Sequence, residues 1–213
     1  MEHSKEPVFV DSPHRLQRIT DIIFALSMVL FIVSGMLTFN DAAFWSGYDS
    51  DPTGFIWGQA RELLTAFLVF LFMALYWSTN LNQAKYIIRV DNTYIWINIF
   101  YLFFIAIAPF PNALTLKFGS DFYVQQFFNL DMLFIGLFGF FAWYYATKNH
   151  RLVSKGLTEV EIKTTHREMI VEPLVAVIAI VVSFIDTAYW EPALLLLPIG
   201  MVIVAILNRR LKK

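Results

Sequence analysis

The chain has 213 residues, of which 58% are hydrophobic and only 15% charged, with a mean hydropathy of +0.58. Soluble domains carry roughly 45–50% apolar and about 25% charged residues, and 22 Phe, 9 Tyr and 6 Trp are more than a water-exposed surface hides; composition excludes a soluble globular protein. A net charge of −1 gives no general pull toward nucleic acid, and the lack of cysteine excludes disulfides, thiolate metal sites and a cysteine nucleophile.

The first twelve residues hold no apolar h-region, so no cleavable signal peptide is expected. A spanning helix needs about 20 mostly apolar residues, and six stretches qualify. They predict an all-α integral membrane protein with one six-helix domain over 1–213, its spans at about 20–40, 58–80, 92–112, 124–147, 168–187 and 190–208. Between the first two lies an external loop whose Trp45, Tyr48 and Trp57 suit the headgroup level. The connection 148–168 reads as a short amphipathic helix or a solvated charged linker, with Thr158 and Glu161 in capping-box spacing. The last two spans are separated so briefly that a tight helical hairpin must join them.

Positive charge sets the orientation. Of the 16 Lys and Arg residues, all but Arg61 and Lys117 fall on one side of this topology. Both termini are therefore expected in the cytoplasm of a multi-pass cell-membrane protein.

Polar residues inside spans are costly and informative. Asp21 opens the first span, while Trp77 and Asn80 close the second and Asn98 lies about one turn into the third. With Arg15 they are expected to form a polar cluster at the inner ends of three helices. A structural role outweighs a catalytic one, because this cluster offers neither a His–Ser pair nor two carboxylates at one depth.

Helix one presents two stripes at helical spacing. Ile23, Ser27, Leu30 and Ser34 carry two hydroxyls and suit a pore or a small-residue seam. Ile22, Leu26, Val29 and Val33 are wholly apolar and suit lipid, core or a hydrophobic constriction. Spacing alone leaves both open. No enzyme motif occurs, and the four His residues lack metal-site spacing; no enzyme activity, metal or cofactor is expected.

Arg15-Leu-Gln-Arg-Ile-Thr-Asp21, followed by IIFALSMVLF, resembles a diverged Arg-x-x-x-Phe-Ser-Asp signature of the transmembrane-protein-175 family. Tyr76-Trp77-Ser-Thr-Asn80 stands where that family has Trp-x-x-His. Asn98 and Ala108-Pro109-Phe110-Pro111-Asn112 stand where it has an Asn and Pro-Phe-x-Thr. The end of helix four, Phe141-Ala-Trp143-Tyr-Tyr-Ala146, is also similar. Animal members are endolysosomal potassium channels and prokaryotic members single six-helix repeats. The resemblance implies a homotetrameric, potassium-permeable channel whose partners are the bilayer, monovalent cations and its own copies, with helix one on the central axis. It places the constriction at Leu26, with Val29 and Val33 on the same stripe. The departures are Ile19, Thr20, Asn80 and Asn112, and Val29 replaces a common hydroxyl. A secondary transporter and a non-conducting scaffold are the rival readings.

Overall fold

A computed structural model describes residues 9–10, 13–36 and 47–211, excepting the side chains of 9–10, 34–36, 59, 61–62, 64–66, 68–69, 72 and 209–211. Trp45 lies outside the described residues, as does the side chain of Ser34. Helix α1 spans Pro13–Met36, α2 Pro52–Ala84, α3 Asn92–Ile107, α4 Pro109–Phe118, α5 Phe122–Thr147, α6 Glu159–Ile185, α7 Trp190–Leu194 and α8 Leu196–Leu211. Strand β1 (Phe9–Val10) pairs antiparallel with β2 (Val90–Asp91), in the register Phe9 with Asp91 and Val10 with Val90.

Local chemistry sets the boundaries. The Asp51 carboxylate accepts the Gly54 amide at 3.1 Å and Pro52 opens α2, a favoured pairing of cap and first-turn proline. Asp91 caps α3 through the Tyr94 amide and Asp121 caps α5 through the Val124 amide. After α5 the chain turns through Asn149 and His150 in left-handed conformation, at φ 56° and 51°.

Five helical stretches among the described residues are long and apolar enough to cross a membrane: Pro13–Val33, Asn92–Phe118, Phe122–His150, Glu159–Ile185 and Thr187–Asn208. The stretch expected as the second span falls in the 33-residue α2. Two local expectations change. Thr158 and Glu161 do form a reciprocal capping box, but it starts α6 itself. No breaker separates this cap from the apolar run, so the amphipathic stretch and the fifth span are one continuous helix. The third span is divided at Ala108 into α3 and α4, because Pro109 and Pro111 lack the N–H groups that an unbroken helix needs.

Helix α1 packs on α2, α3 and α4, whereas α5 packs on α3, α4 and α6, and α6 on α7 and α8. The seam between α5 and α6 is built from small residues, including Gly136, Ala176 and Ala179, all buried, as expected where helices approach closely in lipid. Phe24, Phe31, Met73, Tyr101, Leu102 and Ile105 form the core beneath α1.

The end bearing Lys85, Arg89, Lys148 and Arg151 is tied together by polar contacts. Ile87 bridges Val153, and the Arg89 side chain donates to the Arg151 carbonyl at 2.8 Å. Buried Asp91 pairs with Arg151 at 3.2 Å and accepts the Tyr145 hydroxyl at 2.7 Å. At the opposite end the Gln125 amide donates to the carbonyls of Gly119 and Thr187, and the Trp190 indole donates to Asn129 at 2.8 Å.

Candidate functional site

Helix α1 divides sharply into two faces. Phe24, Ser27 and Phe31 are buried at 0–4% exposure, while Ile22, Leu26, Val29 and Val33 are 39–58% exposed. The apolar stripe therefore points away from the protomer's own helices. In the other stripe Ile23 is half-buried, Leu30 exposed and Ser27 turned inward.

Ser27 has a specific task in the interior. In a regular helix the amide of residue 109 would donate to the Ile105 carbonyl, but Pro109 has no N–H to give. An orphaned carbonyl in a water-poor interior is costly. The Ser27 hydroxyl donates to Ile105 O at 2.9 Å, so a hydroxyl on α1 replaces the backbone donor missing from the next residues of α3 and α4. This coupling of serine and proline across 82 positions is invisible to periodicity alone.

At the basic end of α1 the polar cluster assembles around Asp21. Its Oδ1 accepts from Trp77 Nε1 and from Gln17 Nε2, both at 2.9 Å, and Gln17 also reaches Asn80 Oδ1 at 3.4 Å. Asn98 is buried, donates to the Tyr94 carbonyl at 2.8 Å, and lines two cavities together with Asn80. Arg15 is exposed, and no ion pair joins it to Asp21 among the described residues. Gln17, one turn before Asp21 on the same face, occupies the position that charge pairing suggested for Arg15. The i, i+4 spacing of Gln17 and Asp21 was the signal available in the sequence.

The cluster joins α1 to α2, with Asn98 bringing α3 to its border. Its chemistry is that of a clasp: one carboxylate, one indole and three amides, all hydrogen-bonded or lining a shared cavity. It positions α1 without presenting a nucleophile.

Comparison with known proteins agrees with where these features lie. Residues 15–109 match the sequence model of a family described as endosomal/lysosomal potassium channel TMEM175. No curated protein matches the chain. The matched segment begins at Arg15 and ends at Pro109, so it contains α1, α2, α3, the clasp and the Ser27–Ile105 contact. The likeness read at the end of helix four lies beyond it.

Proposed function

We propose, from the match of residues 15–109 to the TMEM175 potassium-channel family model, that the chain belongs to that family and forms a homotetrameric, potassium-permeable cation channel with six spans per protomer and α1 at the central axis. The observation that carries this reading is the outward apolar stripe of α1, Ile22, Leu26, Val29 and Val33, set back to back with the inward Ser27. Four copies of Leu26 around an axis make an apolar collar in which water and ions lose hydrogen bonds that no side chain restores, so the collar gates by dewetting. Selectivity is modest, since the sequence has no Thr-Val-Gly-Tyr-Gly run to supply a ring of carbonyls in place of ion hydration. Both termini are assigned to the cytoplasm of a cell-membrane protein. The gathering of Lys85, Arg89, Lys148 and Arg151 at the end where α1 begins supports that orientation.

Potassium flux into vesicles reconstituted with the purified chain tests the reading. Leu26→Asn is expected to wet the collar, raise cation flux and reduce potassium preference. Ser27→Ala, directed into the protomer, is expected to alter stability more than flux. Flux that responds to Ile23 and Ser27 while ignoring Leu26 would transfer the axis to the other stripe. No response at either stripe would remove α1 from the pore. A secondary-transporter reading draws on one observation, a pair of buried carboxylates in the middle of the protomer; solute-coupled flux without uncoupled potassium conductance would establish it instead.

A further inference from the structure

Asp131 on α5 and Glu172 on α6 take no part in the pore reading, yet they are the most demanding groups in the protomer. Glu172 is the middle residue of α6, roughly 20 Å from either end at 1.5 Å per residue. Both side chains are more than nine-tenths buried, at 6% exposure for Asp131 and 8% for Glu172. Asp131 Oδ1 and Glu172 Oε1 have no hydrogen-bond partner among the described residues. They line one cavity of about 140 Å³, walled also by Phe31, Met73 and Leu197. The Tyr76 hydroxyl on α2 faces Glu172.

The cavity belongs to a chain of cavities. Tyr76 and Glu172 also line a second one of about 210 Å³, which continues past Thr79, Asn80 and Asn98. A third, of about 80 Å³, shares Asn80 and Asn98 and reaches His14 and Gln17 at the basic end. Each volume is large enough for ordered water, and the walls supply polar partners for it. Shared lining residues thus link the largely apolar cavity of the acid pair to the clasp.

A carboxylate withdrawn from water persists only when it is paired, neutralised or ligating a cation. The titratable groups lining the first two cavities are Tyr76 from α2, Tyr94 and Tyr101 from α3, Asp131 from α5, and Glu168 and Glu172 from α6; α1, α7 and α8 contribute apolar residues. No Lys, Arg or His is among the described lining residues. Glu168 is already engaged by the Asn208 amide at 2.8 Å. Among the described residues no basic side chain neutralises Asp131 and Glu172. With a proton on one of the two carboxyls, one negative charge remains, which one monovalent cation cancels. The donors are hard oxygens: two carboxyls and the Tyr76 hydroxyl. A divalent ion asks for more carboxylate ligands or a rigid octahedron, and no group of three acidic, His or Cys side chains stands together among the described residues.

We propose that Asp131 and Glu172, with Tyr76, form a binding site for one small monovalent cation inside each protomer, one of the two carboxyls carrying a proton. The site does not depend on α1 lining a pore. It is tested on the full-length chain in detergent, by following thermal unfolding as K⁺ or Na⁺ replaces choline at constant chloride. Ligand bound to the folded state alone raises the midpoint in a saturable way. The expected result is such a rise with K⁺ or Na⁺, weakened at lower pH as protons compete. Glu172→Gln and Asp131→Asn should each raise the half-saturating concentration by roughly tenfold or more, the scale on which a lost supporting ligand weakens a metal site. Thr158→Ala, at the start of α6 and outside these cavities, should leave it unchanged. Tyr76→Phe removes one oxygen without altering charge; it should weaken binding as well, and it decides the matter if the carboxyl variants do not fold. Absence of a saturable K⁺ or Na⁺ effect, an effect reproduced only by Mg²⁺ or by acid, or one unchanged in the variants that fold would overturn the proposal.

Discussion

Replacing Gly136 by alanine measures how tightly α5 and α6 are joined. A Cβ at this position would lie 2.7 Å from Pro173 Cδ, 3.0 Å from Pro173 N and 3.3 Å from Glu172 Cδ. Carbon atoms rest at about 3.5–4.0 Å, so the helices would have to part by about 1 Å. Neither Pro173 atom can rotate aside, because both belong to a ring fused to the backbone. Overpacking of this kind costs about 1–3 kcal/mol, against about 1 kcal/mol that alanine gains over glycine inside a helix. The net expectation is a loss of about 0–2 kcal/mol. Gly139, one turn further, is the control: its Cβ would meet Tyr101 at 3.4 Å and the flexible Met169 terminus at 3.5 Å. Gly139→Ala should be neutral or stabilising by up to about 1 kcal/mol. Thermal unfolding followed by tryptophan fluorescence should separate the two variants by roughly 2–4 °C for each kcal/mol between them. Adding Pro173→Ala to Gly136→Ala removes the obstructing Cδ and should recover part of the loss. If Gly136→Ala melts with Gly139→Ala, the close seam is not a constraint on the fold.

Asp21→Ala removes the acceptor shared by Gln17 and Trp77 and should cost about 1–2 kcal/mol, a moderate figure because the clasp is partly exposed; Arg15→Ala should leave the melting point unchanged, and an equal loss in both would restore Arg15 to the cluster. Asp91→Ala breaks the α3 cap, the Tyr145 contact and the Arg151 pair together. Since half-exposed Arg151 can return to water, the loss should be about 2–3 kcal/mol, below the ~3–5 of a fully buried pair, and Asp91→Asn, which keeps the cap acceptor, should lose less in the same melt. Thr158→Ala deletes the capping box of α6 at about 1 kcal/mol; faster amide exchange confined to the first turn of α6 would register it, and unchanged exchange there would contradict it.

Much of the architecture is legible because lipid imposes strong rules. Long apolar runs fix most helix positions within a few residues, and the expense of Asp21 marks the clasp at the mouth of α1. Individual partners are less legible. Arg15 was favoured by charge, but an uncharged amide at i, i+4 reaches the carboxylate from the same helix face. Ser27 looks like a pore hydroxyl until Pro109 is seen to have freed a carbonyl beside it. Asp131 and Glu172 lie on different helices 41 positions apart, and only the antiparallel packing of α5 and α6 brings them to one cavity. Their signal was present in the sequence as single carboxylates inside apolar runs, each unremarked because its partner was not in the same motif.

The two-residue ladder between β1 and β2 has a mechanical consequence. Phe9 and Val10 are fastened to the residues that begin α3, and Asp91 fastens those in turn to α5 and the turn beyond it. The strand before α1 is thereby moored to the residues that begin α3, and sliding of α1 along its axis would strain the ladder. The remaining motion is a pivot, resisted along α1 by the Ser27–Ile105 hydrogen bond and the buried Phe24 and Phe31. α1 is 24 residues long, roughly 36 Å at 1.5 Å per residue. A tilt on the order of 5° about its moored end carries the far end through about 3 Å while Asp21 scarcely moves. Side chains along α1 are thus ranked by lever arm, from Ile22 with the least travel to Val33 with the most.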